Sequence, residues 1–206
     1  QIFPEISLAQ VNRFLSRIQP GLSAKVFRTF HATTTVKEFL EKRAKLKRQA
    51  SSSEKEYWAR RANLEAAIRC NHKRTPPKTW EESLRKKEEA LAKLKATEPK
   101  TDKQRERLKE RIEKAQRQLD LARETRDYNL NTSLKNYIDP RVYKAWGDAV
   151  DFDWTRLYTQ VLQRKFSWMK SSRIKWESLS GHSLARLGRS GNGNSGEEEK
   201  ETAQGE

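Results

Sequence analysis

Cysteine is nearly absent. Cys70 is the only one among 206 residues, which excludes an internal disulfide framework and a thiolate-rich metal site. No stretch approaches the roughly 18 apolar residues of a membrane-spanning helix. Hydrophobic residues make up 34% of the chain and the mean hydropathy is −1.05, too little apolar material for one large core and more suited to long exposed helices. Glycine-rich phosphate loops, paired-histidine metal motifs and nucleophile elbows do not occur. Three histidines and one cysteine lack the spacing of a structural zinc site. There is no internal repeat and no convincing strand pattern. What the chain does have is charge: 44 Lys+Arg against 28 Asp+Glu, net +16. Such a field favours a polyanion, most simply nucleic acid; with no run long enough to span a bilayer, no membrane is expected as a partner.

The excess is uneven. Residues 1–80 carry net +11, 81–127 net +3, 128–180 net +4, and 181–206 net −2. The front of the chain is therefore expected to face the anion most strongly. The middle, densely charged but nearly balanced, reads as a solvated helix pair.

The pattern along the chain is all-α. Ser7 and Gln10 form a capping box for a helix over 7–19, with Leu8, Val11, Phe14, Leu15 and Ile18 at helical spacing and Pro20-Gly21 as the stop. A second helix is expected over 24–31. A basic one, opened by a Thr35/Glu38 box, is expected to run to about Ala50. Ser51-Ser52-Ser53 breaks the pattern, and Ser53 with Glu56 is expected to cap a helix ending near Cys70. Two prolines make 71–78 a loop. Thr79 and Glu82 suggest a further box, opening a helix with Trp80, Leu84, Leu91 and Leu94. After a break at Pro99, Leu108, Ile112, Ala115, Leu119 and Ala122 form a heptad seam. The two arms, 79–97 and 102–127, are expected to make a protruding antiparallel coiled-coil hairpin, each arm about 30–40 Å long. Residues 129–133 read as a break, followed by helical patterns over 141–148 and 154–170. Residues 181–206, where Gly, Ser, Asn and Glu dominate, read as a disordered tail.

Three segments carry chemistry. They are Lys25-Val26-Phe27-Arg28-Thr29-Phe30, Cys70-Asn71-His72-Lys73-Arg74-Thr75-Pro76-Pro77-Lys78-Thr79, and Ser133-Leu134-Lys135-Asn136-Tyr137-Ile138-Asp139-Pro140-Arg141. In order and content, and with a heptad linker between the second and third, they closely resemble the C-terminal part of type IB DNA topoisomerases over about residues 8–170. The resemblance implies four parts: 1–78 as the end of a catalytic core, 79–127 as a coiled-coil linker, 128–180 as a small helical domain with the nucleophile, and 181–206 as a tail.

It further implies that Tyr137 attacks a backbone phosphate of duplex DNA, leaving a 3′-phosphotyrosyl link and a free 5′-hydroxyl. A free phenol titrates near pH 10, so such a nucleophile needs cations and a proton acceptor. Arg28, through its planar fork, and His72, through one hydrogen bond, would hold nonbridging oxygens as charge grows in the transition state. Lys25, Lys73, Arg74 and Lys78 would touch phosphate, and Asn136 would lie beside the cleavage site. Strand rotation and resealing would then relax supercoils without ATP or a metal. By the same resemblance, a further arginine, a general-acid lysine and the DNA clamp lie upstream. The chain, which begins with Gln1 rather than Met, is thus expected to be a piece of a longer enzyme. It would hold three of five active-site groups and be inactive alone, its partners being duplex DNA and the missing N-terminal core and clamp. The implied compartment is the nucleus for a eukaryotic member, or the cytoplasm or nucleoid for an archaeal one.

Two competing readings remain. Site-specific tyrosine recombinases share the nucleophile and arginine, but place histidine three residues before that arginine, where this chain has Lys25. A non-catalytic, basic coiled-coil nucleic-acid binder accounts for charge and heptads but leaves the three motifs as coincidence.

Overall fold

The computed structural model describes residues 4–42 and 49–179. Eight α-helices succeed one another among them: α1 Leu8–Ile18, α2 Ala24–Lys42, α3 Ser52–Arg69, α4 Trp80–Lys95, α5 Asp102–Glu124, α6 Leu130–Asn136, α7 Pro140–Val150 and α8 Gln160–Lys165. Short 3₁₀ turns lie at Trp154–Leu157, Ser167–Ser171 and Trp176–Ser178. The described residues contain no strand, only one antiparallel bridge between Lys73 and Tyr128, so the fold is all-α.

The helix at the centre is α3. It packs against α2, α5 and α6 through Ala59, Ala62, Ala66 and Ala67, all buried. That spacing keeps small side chains on the contact stripe and lets neighbouring backbones approach closely. From α2, Ala32, Thr33, Val36 and Leu40 are buried. The core then widens into an aromatic cluster around α7, where Tyr143, Trp146, Phe152, Trp154, Tyr158 and Phe166 stack at tilted or edge-on angles.

Helices α4 and α5 form the expected antiparallel hairpin. In the outer part of α5, from Asp102 to Lys114, only Leu108 and Ile112 are other than exposed, so the heptad seam is what meets α4. Leu91 and Leu119 close the seam, with Arg123 paired to Glu88 at 2.7 Å across it. The inner part of α5 lies along α3, where Arg61 meets Glu124 at 2.6 Å and Arg117 reaches Ser53. The root of the hairpin is thereby laid on the core, while its turn at 96–101 is mostly exposed.

Several local expectations are corrected. The helices foreseen over 24–31 and from Thr35 are one helix, α2, described to Lys42. Thr35 is interior to it, its hydroxyl donating to the His31 carbonyl at 2.8 Å. A threonine that bonds back one turn does not break a helix whose next turns are buried. The foreseen remainder of that helix, 43–48, lies outside the described residues. The cap of α3 is Ser51, accepting from the Glu54 amide, two residues before the expected Ser53. Thr79 precedes α4 without a side-chain cap.

Residues 129–133 are not a break. Asn129 caps α6 by accepting from the Thr132 amide, so it starts a helix rather than ending one. The single pattern over 154–170 is divided, because Asp153 caps a 3₁₀ turn and Tyr158 and Thr159 are extended. The expected tail falls outside the described residues.

One glycine marks a close approach. A Cβ on Gly147 would stand 2.5 Å from the Phe152 carbonyl oxygen, a backbone atom that cannot swing aside. Gly147→Ala is expected to destabilise the chain by about 1–3 kcal/mol, read as a lowered urea midpoint at unchanged slope.

Candidate active site

Three backbone devices place three side chains together. The first ends α3. Asn71 takes a left-handed conformation (φ 54°), its amide bonding to the Ile68 carbonyl and that of His72 to the Ala67 carbonyl. This is a Schellman stop, with asparagine in the position glycine usually takes. It turns His72 off the helix axis.

The second device is a short antiparallel zipper. The Asn129 amide donates to the His72 carbonyl at 2.8 Å, and the Arg74 amide to the Asp127 carbonyl at 2.9 Å. The chain returning from the hairpin is thus stitched to the loop that left α3, and α6 begins beside His72. Arg126 over the Trp80 ring closes the same root.

The third device holds Tyr137 between two helices. Tyr137 caps the C-terminal end of α6, and its amide and that of Ile138 both donate to the Ser133 carbonyl at 2.9 Å. Two residues on, Asp139 caps α7 and Pro140 presets its first turn. Arg141 grips the Asp139 carboxylate with two donors, at 2.9 and 2.7 Å, and both residues are buried. Behind this joint stands Thr33 of α2. Its hydroxyl donates to the Tyr137 carbonyl at 3.4 Å and accepts from the Asp139 amide at 3.0 Å. The helix that carries Arg28 is therefore strapped to the backbone that carries Tyr137.

The result is a convergence of Arg28, His72 and Tyr137. The Arg28 guanidinium lies 5.4 Å from the Tyr137 ring centroid and donates to the Cys70 carbonyl at 2.8 Å. The His72 and Tyr137 rings are 4.9 Å apart at 32°. His72 Nδ1 is 2.7 Å from the Ser133 hydroxyl, while its Nε2 is buried and has no partner among the described residues. Arg28 is exposed and Tyr137 half-buried, so an anion can reach the guanidinium from solvent.

Among the residues read as phosphate contacts, Lys25 lies one turn before Arg28 on α2, and Lys73 and Lys78 lie on the loop, all three exposed. Asn136 is exposed beside Tyr137. Arg74 is differently engaged: its guanidinium donates to the Arg126 and Thr125 carbonyls at 3.2 Å, where it satisfies the C-terminal end of α5. Ser133 and Thr33 were not singled out from the sequence. Ser133 stands one helical turn before Tyr137, a spacing that places both on one face, but a helical serine alone signals nothing. No group of His, Cys, Asp or Glu among the described residues is arranged to hold a metal ion.

Burial, and then the Arg28 charge, push the His72 imidazole below its ordinary 6.5. A base whose folded pKa is depressed binds fewer protons in the native state than unfolded, so stability rises with pH across that window. The wild-type chain is expected to lose more unfolding free energy than His72→Gln as pH falls from about 7.5 to 5.5 through the ordinary imidazole value. Urea titrations at the two pH values measure this, and equal losses would refute it.

Comparison with known proteins agrees with the motif order. The family described as eukaryotic DNA topoisomerase I, catalytic core, matches residues 1–105, and a C-terminal topoisomerase domain matches residues 109–178. DNA topoisomerase 1 of Caenorhabditis elegans is 34% identical over 186 residues, covering 81% of this chain and 22% of that protein. The enzyme of the same name from Drosophila melanogaster is 33% identical over 178 residues, covering 81% and 18%. The human protein named DNA topoisomerase I, mitochondrial, is 31% identical over 193 residues, covering 81% and 32%. The chain thus spans a third or less of the length of these relatives. It belongs to the eukaryotic-type DNA topoisomerase I family, the type IB topoisomerases.

Proposed function

We propose that this chain supplies the nucleophile and two phosphate-binding groups for transient nicking of duplex DNA, and that the enzyme it forms with an upstream core and clamp relaxes supercoils. Tyr137 Oη attacks a backbone phosphorus. The bond to phosphorus forms on Oη and breaks at the 5′-oxygen, leaving a 3′-phosphotyrosyl ester. The phenolic proton passes to solvent or a base, and the leaving 5′-oxygen takes a proton from a general acid outside these residues. Arg28 and His72 each bond a nonbridging oxygen and counter the charge that grows on it. After rotation of the duplex, the 5′-hydroxyl attacks back and frees Tyr137. The ester conserves the phosphodiester bond energy, so the cycle draws on no ATP, and with Arg28 and His72 countering the charge neither of their roles calls for a metal. Backbone contacts dominate, so sequence preference is slight. The relatives named above are eukaryotic, which favours the nucleus, the one named mitochondrial pointing to a second compartment.

One observation carries this reading: a guanidinium and an imidazole from two different helix ends meet over one tyrosine ring. Family membership supports it independently. The test uses a chimera in which the nematode relative's residues upstream of the matched region are fused to residues 1–206. A suicide duplex whose short fragment escapes after cleavage is expected to trap a denaturant-resistant adduct. Mass spectrometry should place the nucleotide on the peptide containing Tyr137. A folded chimera that binds duplex DNA yet forms no adduct would overturn the reading and leave a DNA-binding module.

A further inference from the structure

We propose that Ser133 is a positioning residue for His72: its hydroxyl donates to Nδ1, which keeps the ring proton on Nε2 and leaves that N–H as the donor offered to phosphate. The inference rests on the role proposed for His72 above.

The geometry is specific. Ser133 is fully buried, and its hydroxyl stands 2.7 Å from His72 Nδ1. Nε2 is buried and has no partner among the described residues. One ring nitrogen is therefore spent within the protein and the other is kept free. A contact at 2.7 Å is compatible with either neutral tautomer, so the choice is made by chemistry. If Nδ1 carried the proton, Nε2 would present a lone pair to a phosphate oxygen, and the two would repel. If the serine donates, Nε2–H presents a proton. A buried donor without an acceptor is costly, and an arriving oxygen relieves that cost.

The groups around the ring favour the neutral form. They are Arg28 from α2, Ser133 from α6 and Tyr137 just after it; burial comes first, Arg28 opposes a second cation, and no carboxylate contacts the ring among the described residues. A neutral ring needs its tautomer set by a neighbour, whereas an imidazolium would donate from both nitrogens regardless.

Ser133 has a second part in the site. Its carbonyl accepts the Tyr137 and Ile138 amides, so one residue ties the histidine ring and the tyrosine backbone to the same turn of α6. Substituting its side chain leaves those two backbone bonds in place, which separates orientation of His72 from placement of Tyr137.

Two measurements test this. Long-range ¹H–¹⁵N spectra of the 206-residue chain, with the His72 signals assigned by their loss in His72→Gln, are expected to show a neutral ring protonated at Nε2. In Ser133→Ala the pattern should shift toward a mixture of tautomers, and Ser133→Cys, which keeps a weak donor, should fall between. In the chimera, Ser133→Ala should slow single-turnover cleavage about tenfold, the lower end of the loss found when groups that orient metal-bound histidines are removed. It should also displace the pH profile while duplex affinity holds, and Ser133→Cys should recover part of the rate. An unchanged tautomer in Ser133→Ala, or a rate loss explained by weakened DNA binding, would overturn the proposal. If His72→Gln left cleavage untouched, the role of His72 would fall instead, whatever the spectra showed.

Discussion

Tyr137→Phe in the chimera is expected to abolish the covalent DNA adduct while fold and duplex affinity stay unchanged. The chemistry requires total loss, since no oxygen remains to bond phosphorus. The structure explains why the rest survives. The Tyr137 hydroxyl makes no hydrogen bond to the described residues, so its removal orphans no buried group, and the stability change should stay within about 0.5 kcal/mol. The ring keeps its contacts with His72 and Arg28, and the strap from Thr33 acts on the backbone alone.

The other tyrosines are poor substitutes. Tyr143 and Tyr158 are fully buried, and desolvation holds both phenols protonated far above their ordinary range. Tyr57 is packed edge-on against Trp58, and Tyr128 is held in the zipper beside Lys73. A denaturing gel of labelled suicide duplex measures the adduct, and anisotropy measures binding. Any adduct persisting in Tyr137→Phe would place the nucleophile elsewhere.

Most of the architecture was legible because it is written locally. The Ser7/Gln10 box of α1 appears as drawn, both bonds present. The hairpin is legible because a heptad with a proline break needs no distant partner to be recognised. Two of the misreadings share one cause. Thr35 and Asn129 have side chains that either start or interrupt a helix, and burial of the neighbouring turns decides which. At the site, the order of motifs pointed to Arg28, His72 and Tyr137, but not to what holds them. The Thr33 strap joins residues more than a hundred positions apart, and the His72–Ser133 bond spans sixty-one. Such partners leave no periodicity to read. Arg74 shows the converse, a loop cation whose donors turn out to serve the end of a helix.

The second large effect falls on Arg28. Arg28→Ala is expected to slow single-turnover cleavage by about 10²–10³-fold, the loss typical of one preorganised donor to a developing oxyanion. Arg28→Lys should recover only a small part of it. A lysine keeps the charge but not the planar fork, and one of Arg28's donors already binds the Cys70 carbonyl. That bond orients the guanidinium over Tyr137 and leaves its remaining N–H groups for the phosphate, a division an ammonium cannot reproduce with fixed geometry.

The side chain is exposed, so neither variant should unfold the chain, and duplex affinity, spread over many phosphates, should fall only slightly. The signature of a transition-state contact is therefore a rate that drops at saturating DNA with affinity nearly constant. If Arg28→Lys cleaved at the wild-type rate, charge alone would suffice and the fork would have no role. If Arg28→Ala lost affinity and rate in equal measure, Arg28 would be a groove contact rather than part of the chemistry. The same variants bear on His72: with Arg28 gone, the charge that helps depress its imidazole is gone too. The ring should then titrate at higher pH in Arg28→Ala than in the wild type, a shift in the His72 ring resonances that is independent of any DNA.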